Sequence, residues 1–172
     1  MKQIIFAFAI LTALVSCNQP KVAYVDVREL MTEYKGTKET EDAMKLKSDN
    51  LKHQLDSLIA NWQQKVQQYQ QGMAKLNPKT RQETEQNLMS EQQNIGQLQQ
   101  RYQQQLNEEG DESIKGITKE IDSFVKDYAK TKGYTYILGT SEDTHTIMFA
   151  DEKMDITADV LAQLNKSYKS KN

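Results

Sequence analysis

Cys17, His53 and His145 are the side chains best suited to chemistry in this 172-residue sequence, which holds one cysteine and two histidines. Such residues act as metal ligands, or as nucleophile and base, only where several of them converge. His53 stands in a helix-like polar tract and His145 beside a β-branched run, and neither has metal-ligand spacing around it. No glycine-rich phosphate loop follows a strand-like segment. Both histidines read as surface residues, so the sequence predicts no enzyme, no cofactor and no metal. Charge offers the other chemistry. From Ser57 to Gln82 the sequence has no acid, only Lys65, Lys75, Lys79 and Arg81. The stretch is either a solvated surface or a mildly basic patch that draws acidic chain segments or lipid headgroups.

Cys17 suggests a different reaction. Lys2 gives a positive start and Ile4 to Leu14 is almost wholly apolar, too short a run to span a bilayer as a stable helix. Residues 1–16 therefore read as a signal peptide. It closes on Leu14-Val15-Ser16-Cys17, which resembles the bacterial lipobox, where cleavage precedes the cysteine and diacylglycerol joins its sulfur. Each buried methylene of an acyl chain contributes ~0.8 kcal/mol, so two or three chains anchor a protein firmly. The expectation is a protein lipid-anchored through Cys17 to a bacterial membrane, inner or outer, and facing the periplasm. A lone cysteine also excludes an internal disulfide.

Losing Lys2 with the leader takes the formal net charge from −2 to −3, and no basic face suggests nucleic acid. With 37% hydrophobic residues and a mean hydropathy of −0.78, the chain is too polar for one round core. It must be disordered, or elongated around a thin apolar seam. The glutamine-rich stretch of residues 63–82 poses that choice, and two flanking tracts decide it. Leu51, Leu55, Leu58, Trp62, Val66, Tyr69, Met73 and Leu76 follow steps of three and four. After Asn77-Pro78 come Leu88, Ile95, Leu98, Tyr102, Leu106, Ile114, Ile117, Ile121, Phe124 and Tyr128, mostly at steps of three, four or seven. If the chain folds back at Asn77-Pro78, facing residues have numbers adding to a constant. Tyr69 with Leu88, Trp62 with Ile95, Leu55 with Tyr102 and Leu51 with Leu106 each give 157, and Leu58 with Leu98 gives 156. A disordered tract has no reason to mirror itself. Pro78 disfavours helix at Asn77 and can open the next helix, so an antiparallel coiled-coil hairpin spans 37–131 with its tip near 77–79. Gly72, Gly96, Gly110 and Gly116 fall inside it, either tolerated or allowing the arm to bend.

The arm needs a root. Residues beyond Glu120 outrun the first helix, and Val27–Tyr34, opened by Asp26-Val27-Arg28-Glu29 as a capping-box-like start, can cover them. Val22–Val25 reads as a strand, and so do Tyr134–Leu138 and Thr146–Phe149, which a polar turn near Ser141-Glu142-Asp143 would join as a β-hairpin. Gly133 ends the returning helix, and a last amphipathic helix carries Ile156, Val160, Leu161 and Leu164 with Asp155 or Thr157 as its cap. The expected organisation is residues 17–36 as anchor and first part of a head, and 132–172 as its second part. The fold class is α+β, mostly α. A head this small has raw strand edges and is expected to close them with copies of itself through Val22, Tyr24, Ile137, Ile147 and Phe149.

From Lys21 to about Asn165 the chain resembles the Skp/OmpH family of periplasmic chaperones. The resemblance rests on element order, on Val22-Ala23-Tyr24-Val25-Asp26-Val27, and on Asp155-Ile156-Thr157-Ala158-Asp159-Val160-Leu161. It implies a homotrimer whose strands join around a three-fold axis, with arms that enclose unfolded outer-membrane proteins. That would make the chain an ATP-independent holdase. The sequence departs from the best-known members in its lipobox and in a pI near 5.8, so no client-binding or lipopolysaccharide-binding residue is carried over. From the residues alone, a lipid-anchored coiled-coil spacer or adaptor of the cell envelope is the alternative.

Overall fold

Asn77-Pro78 turns the chain as its chemistry requires. Asn77 is extended (φ −68°, ψ 158°), its side chain accepts from the Thr80 N–H at 2.9 Å, and Pro78 opens the returning helix. The computed structural model describes residues 19–141 and 146–169. Cys17 and the leader, Glu142 and Asp143 of the expected turn, and His145 lie outside them. In chain order the elements are β1 (Val22–Asp26), α1 (Val27–Glu33), α2 (Lys35–Gly72), a 3-10 turn (Met73–Lys75), α3 (Pro78–Lys132), β2 (Tyr136–Thr140), a second 3-10 turn (Glu152–Met154) and α4 (Thr157–Ser167). At 1.5 Å per residue α2 runs ~57 Å and α3 ~83 Å.

The hairpin register is fixed by bonds across the seam. Lys47 pairs with Glu109, Lys65 with Glu91 at 2.6 Å, and the Tyr102 hydroxyl donates to Gln54 at 3.0 Å, pairs whose numbers add to 156. Met73, 41% exposed where α2 gives way to the 3-10 turn, departs from the sequence-based seam, and so do two further positions. Leu58 is 40% exposed, and half-buried Ile59 takes the inner place, which the total of 157 puts opposite Leu98. Ile114 is 60% exposed, and the inner place belongs to Ser113. In both cases a step of four replaces one of three, which a two-helix seam tolerates because only one face is covered.

The core lies where the arm meets the head. Val25, Leu30, Tyr34, Ile117, Ile121, Tyr128, Val160 and Leu164 form one buried cluster, so α1 and α4 together cover the part of α3 that outruns α2. Asp26 caps α1 by accepting from the Glu29 N–H at 3.0 Å, and Gly133 (φ 71°) ends α3 in the left-handed region. Asp155 takes the Thr157 N–H at 2.9 Å and opens α4. Tyr34, the single extended residue between α1 and α2, is buried with its hydroxyl donating to Glu120 at 2.5 Å. Gly36 is required beside it, because a Cβ there would sit 2.5 Å from the Tyr34 ring.

The strand pairing corrects the β-hairpin expectation. β2 runs parallel to β1, with Val22 opposite Tyr136 and Asp26 opposite Thr140, and the whole arm serves as the crossover. Thr146–Phe149 forms no strand. β1 gives one edge to β2 and meets Asp155 on the other through the Tyr24–Asp155 bridge and the Ile156 N–H bond to the Tyr24 carbonyl (3.0 Å). The outer edge of β2 stays open among the described residues.

Candidate functional site

Three surfaces of the molecule could meet a partner: the arm tip, the flanks of the arm and the outer side of the head sheet.

At the tip, folding changes the charge that the sequence suggested. Lys65 faces Glu91 across the hairpin, Lys79 lies 3.9 Å from Glu83 in its own helix, and Arg81 donates to the Met73 carbonyl at 3.0 Å. The returning helix also brings Glu85 to the Tyr69 hydroxyl. The tip is therefore closer to balanced than to basic, and among the described residues Lys75 has no ion partner. These pairs are exposed, so each contributes little, ~0–1 kcal/mol.

Along the flanks apolar side chains stand in water from root to tip. Leu46 is 64% exposed and Met89 61%, and Leu58, Met73 and Ile114 are also open. In the middle of the arm the surface is glutamine-rich, with donors and acceptors and little charge. Near the root the cross-arm carboxylate Glu109 is held below the ordinary range by its hydrogen bond from Lys47 and a second from Gln105. His53 sits exposed on α2. Among the described residues no His, Cys, Asp and Glu group could hold a metal ion, and no helix is long and apolar enough to cross a membrane.

The head presents one apolar sheet face. Parallel pairing puts Val22, Tyr24, Tyr136 and Leu138 on the same side, with Tyr136 60% and Leu138 45% exposed. Ile137 alternates to the other side and packs against the core cluster, and Ile147 is half-buried. Phe149 is 90% exposed, with Met148 beside it at 88%. Of the head residues singled out in the sequence, Val22 and Tyr24 thus lie half-buried on this face and Phe149 stands in water, whereas Ile137 belongs to the core side. Tyr136, Leu138 and Met148 were missed. Alternation from Val22 and Tyr24 through a parallel register would have found the first two, but the sequence suggested an antiparallel hairpin instead.

Comparison with known proteins places this geometry. A family model described as outer membrane protein (OmpH-like) matches residues 21–164. No curated protein matches the sequence significantly. A crystal structure from Caulobacter crescentus CB15, described as a candidate OmpH-like outer membrane chaperone, superposes with a TM-score of 0.79 over 89% of this chain and 88% of that one, at 13% sequence identity. At that identity the likeness is one of fold.

Proposed function

The chain belongs to the OmpH-like outer membrane protein family, and from that premise we propose that it is an ATP-independent holdase chaperone. In this reading three copies join through their head sheets, and their arms enclose unfolded outer-membrane proteins and keep them from aggregating. The observation that carries it is the row of exposed apolar side chains, Leu46, Leu58, Met73, Met89 and Ile114, spread along an arm too thin to bury them. Scattered apolar contacts on a neutral, glutamine-rich surface suit many weak, sequence-tolerant contacts with an unfolded chain. Partly offset charge at the tip supports the same view, since Lys65 and Lys79 pair with Glu91 and Glu83, leaving Lys75 and Arg81 as the basic contacts for acidic segments or headgroups.

Holding by confinement and short-range contact should survive salt. Exposed charges more than ~10 Å apart are already largely screened at ~0.1 M salt, so a further rise should slow capture modestly and barely alter release. The test is light scattering of a urea-unfolded β-barrel diluted into the protein begun at Asn18, at low salt and at about 0.5 M. Protection at both is expected. Protection lost at high salt would mean that charge does the holding. No protection at either, with the assembly intact, would favour the adaptor reading.

Cys17 is the proposed lipid site. Only residues 18–21 separate it from β1, at most ~14 Å of extended chain, so an acyl anchor would hold the head against the membrane. Cys17→Ala is expected to abolish acylation, read by mass spectrometry of the membrane fraction. Normal cleavage and membrane retention of that variant would contradict the assignment.

A further inference from the structure

Apart from Cys17, the sulfur of this chain is all thioether, and it is unevenly placed. Met31, Met44 and Met154 are half-buried, whereas Met73 is 41%, Met89 61% and Met148 88% exposed. Met148 belongs to the head. Met73 and Met89 belong to the apolar flank row, and they occupy one end of it. Met73 follows Lys65 in the chain and Met89 precedes Glu91, so both lie on the tip side of that ion pair. Leu46, Leu58 and Ile114 lie on its root side. The row is hydrocarbon near the root and sulfur near the tip.

The two kinds of side chain are alike in apolarity and differ in one reaction. Hydrogen peroxide transfers an oxygen atom to a thioether: the O–O bond breaks, an S–O bond forms, sulfur loses two electrons, and water leaves. The sulfoxide is polar and chiral where methionine was apolar and flexible. So small an oxidant needs only access, and both side chains have it. The contacts that hold the distal arm use backbone carbonyls instead. Met73 accepts there from the Leu76 N–H at 3.2 Å and from Arg81 at 3.0 Å, and the Trp62 indole donates to the Leu88 carbonyl at 2.9 Å. Oxidation of the thioethers leaves these bonds in place.

We propose that Met73 and Met89 are a peroxide-sensitive modification site whose oxidation weakens client holding by the distal arm without unfolding it. The inference rests on the holdase reading and adds a redox response to it. Oxidation removes the apolar contacts of the tip half and spares Leu46, Leu58 and Ile114 of the root half. A methionine sulfoxide reductase working with a dithiol reverses the step. The dithiol gives up two electrons and becomes a disulfide, and the oxygen leaves as water.

The test uses the protein begun at Asn18, which contains every described element and no cysteine, so that peroxide meets sulfur only in methionine. Met148→Leu takes the exposed thioether of the head out of the experiment. Hydrogen peroxide is applied and then cleared with catalase before the urea-unfolded β-barrel is added. Peptide mass spectrometry should find sulfoxide at Met73 and Met89 ahead of Met31, Met44 and Met154. The helical signal and Trp62 fluorescence should stay unchanged. The amount of protein needed for half-maximal protection in light scattering should rise several-fold, and return to its starting value after enzymatic reduction. With Met73→Leu and Met89→Leu added, protection should be equal before and after peroxide. Several results overturn the switch and leave the holdase reading standing: no preference for Met73 and Met89, full protection by the protein oxidised at both, or an equal loss in the leucine variant. A fall in helicity on oxidation, or a loss that reduction does not restore, overturns it too, since the fold would then be what is damaged. Absence of protection before any peroxide is added overturns the holdase reading, and the switch with it.

Discussion

Tyr34 shows at the level of one residue how the arm is fixed to the head. It is 1% exposed, its ring meets Tyr168 edge-on at 5.4 Å, and its hydroxyl donates to Glu120 across the core. Burial first, and the Glu120 hydrogen bond second, raise its pKa well above the usual tyrosine range. Tyr128, bonded to Asp159, is raised for the same reasons. The sign follows from linkage. Below the unfolded-state pKa of ~10 both states keep the proton, and the full stabilisation is present. As pH rises from there toward the higher folded value, only the unfolded chain ionises, and stability falls. Wild type is therefore expected to lose stability between about pH 9 and 11. Tyr34→Phe should be less stable at neutral pH by ~1.5–3 kcal/mol, the range for a hydrogen bond to a charged group, and should lose less on going alkaline. Urea unfolding of both proteins at the two pH values gives the comparison. Parallel losses would show that Tyr34 titrates as it does in the unfolded chain.

Among the elements, the arm was legible because its information is local and repeated. A fold-back about Pro78 imposes a mirror on two tracts, and Trp62, Leu55 and Leu51 with their partners carried it without any tertiary knowledge. What periodicity could not decide was which of two adjacent apolar residues turns inward. Leu58 and Ile59 fit the helix equally well, and only the fold shows Ile59 half-buried in the seam with Leu58 turned out to solvent. The strand pairing was harder, because β1 and β2 are separated by the whole arm and their parallel register leaves no turn signal. The face shared by Tyr136 and Leu138 was therefore not told apart from that of Ile137, and periodicity did not foresee Ser113 taking the inner place expected of Ile114. The seam makes a quantitative prediction. Ile59→Ala and Leu98→Ala should each cost ~1–3 kcal/mol, below the ~2–5 kcal/mol of a deep core because the seam is half-solvated. Together they should show a coupling of ~0.5 kcal/mol or more in a double-mutant cycle. Leu58→Ala should cost less than Ile59→Ala. Strict additivity, or the reverse ranking of residues 58 and 59, would contradict the register.

The whole molecule poses a problem that one chain does not solve. A two-stranded sheet is marginal alone, and this one keeps an open β2 edge beside an apolar face of Val22, Tyr24, Tyr136 and Leu138. Residues 146–149 combine β-branched and aromatic types outside any strand, with Met148 and Phe149 almost fully in water. An open β2 edge and the exposed Met148 and Phe149 on one head are complementary. The segment of one copy can extend the β2 edge of the next, and repetition around an axis closes a ring in which no edge is left over. A heterologous contact of this kind also fixes where the arms point, because each is rooted in the core directly behind the sheet through Ile117, Ile121 and Tyr128. In the proposed assembly the apolar face would lie between copies, with the arms around a common space. Leu138→Lys and Phe149→Asp are at exposed positions, so each should leave the helical signal of the arm unchanged. Each is expected to convert the assembly to monomer in sedimentation analysis, because a charge in the joined sheet has neither water nor a partner. Loss of client protection should accompany monomerisation if enclosure by several arms is what holds the client. A variant that stays assembled would move the contact elsewhere on the head. A monomer that still protects the unfolded barrel would mean that single arms bind clients along their flanks, without a cage.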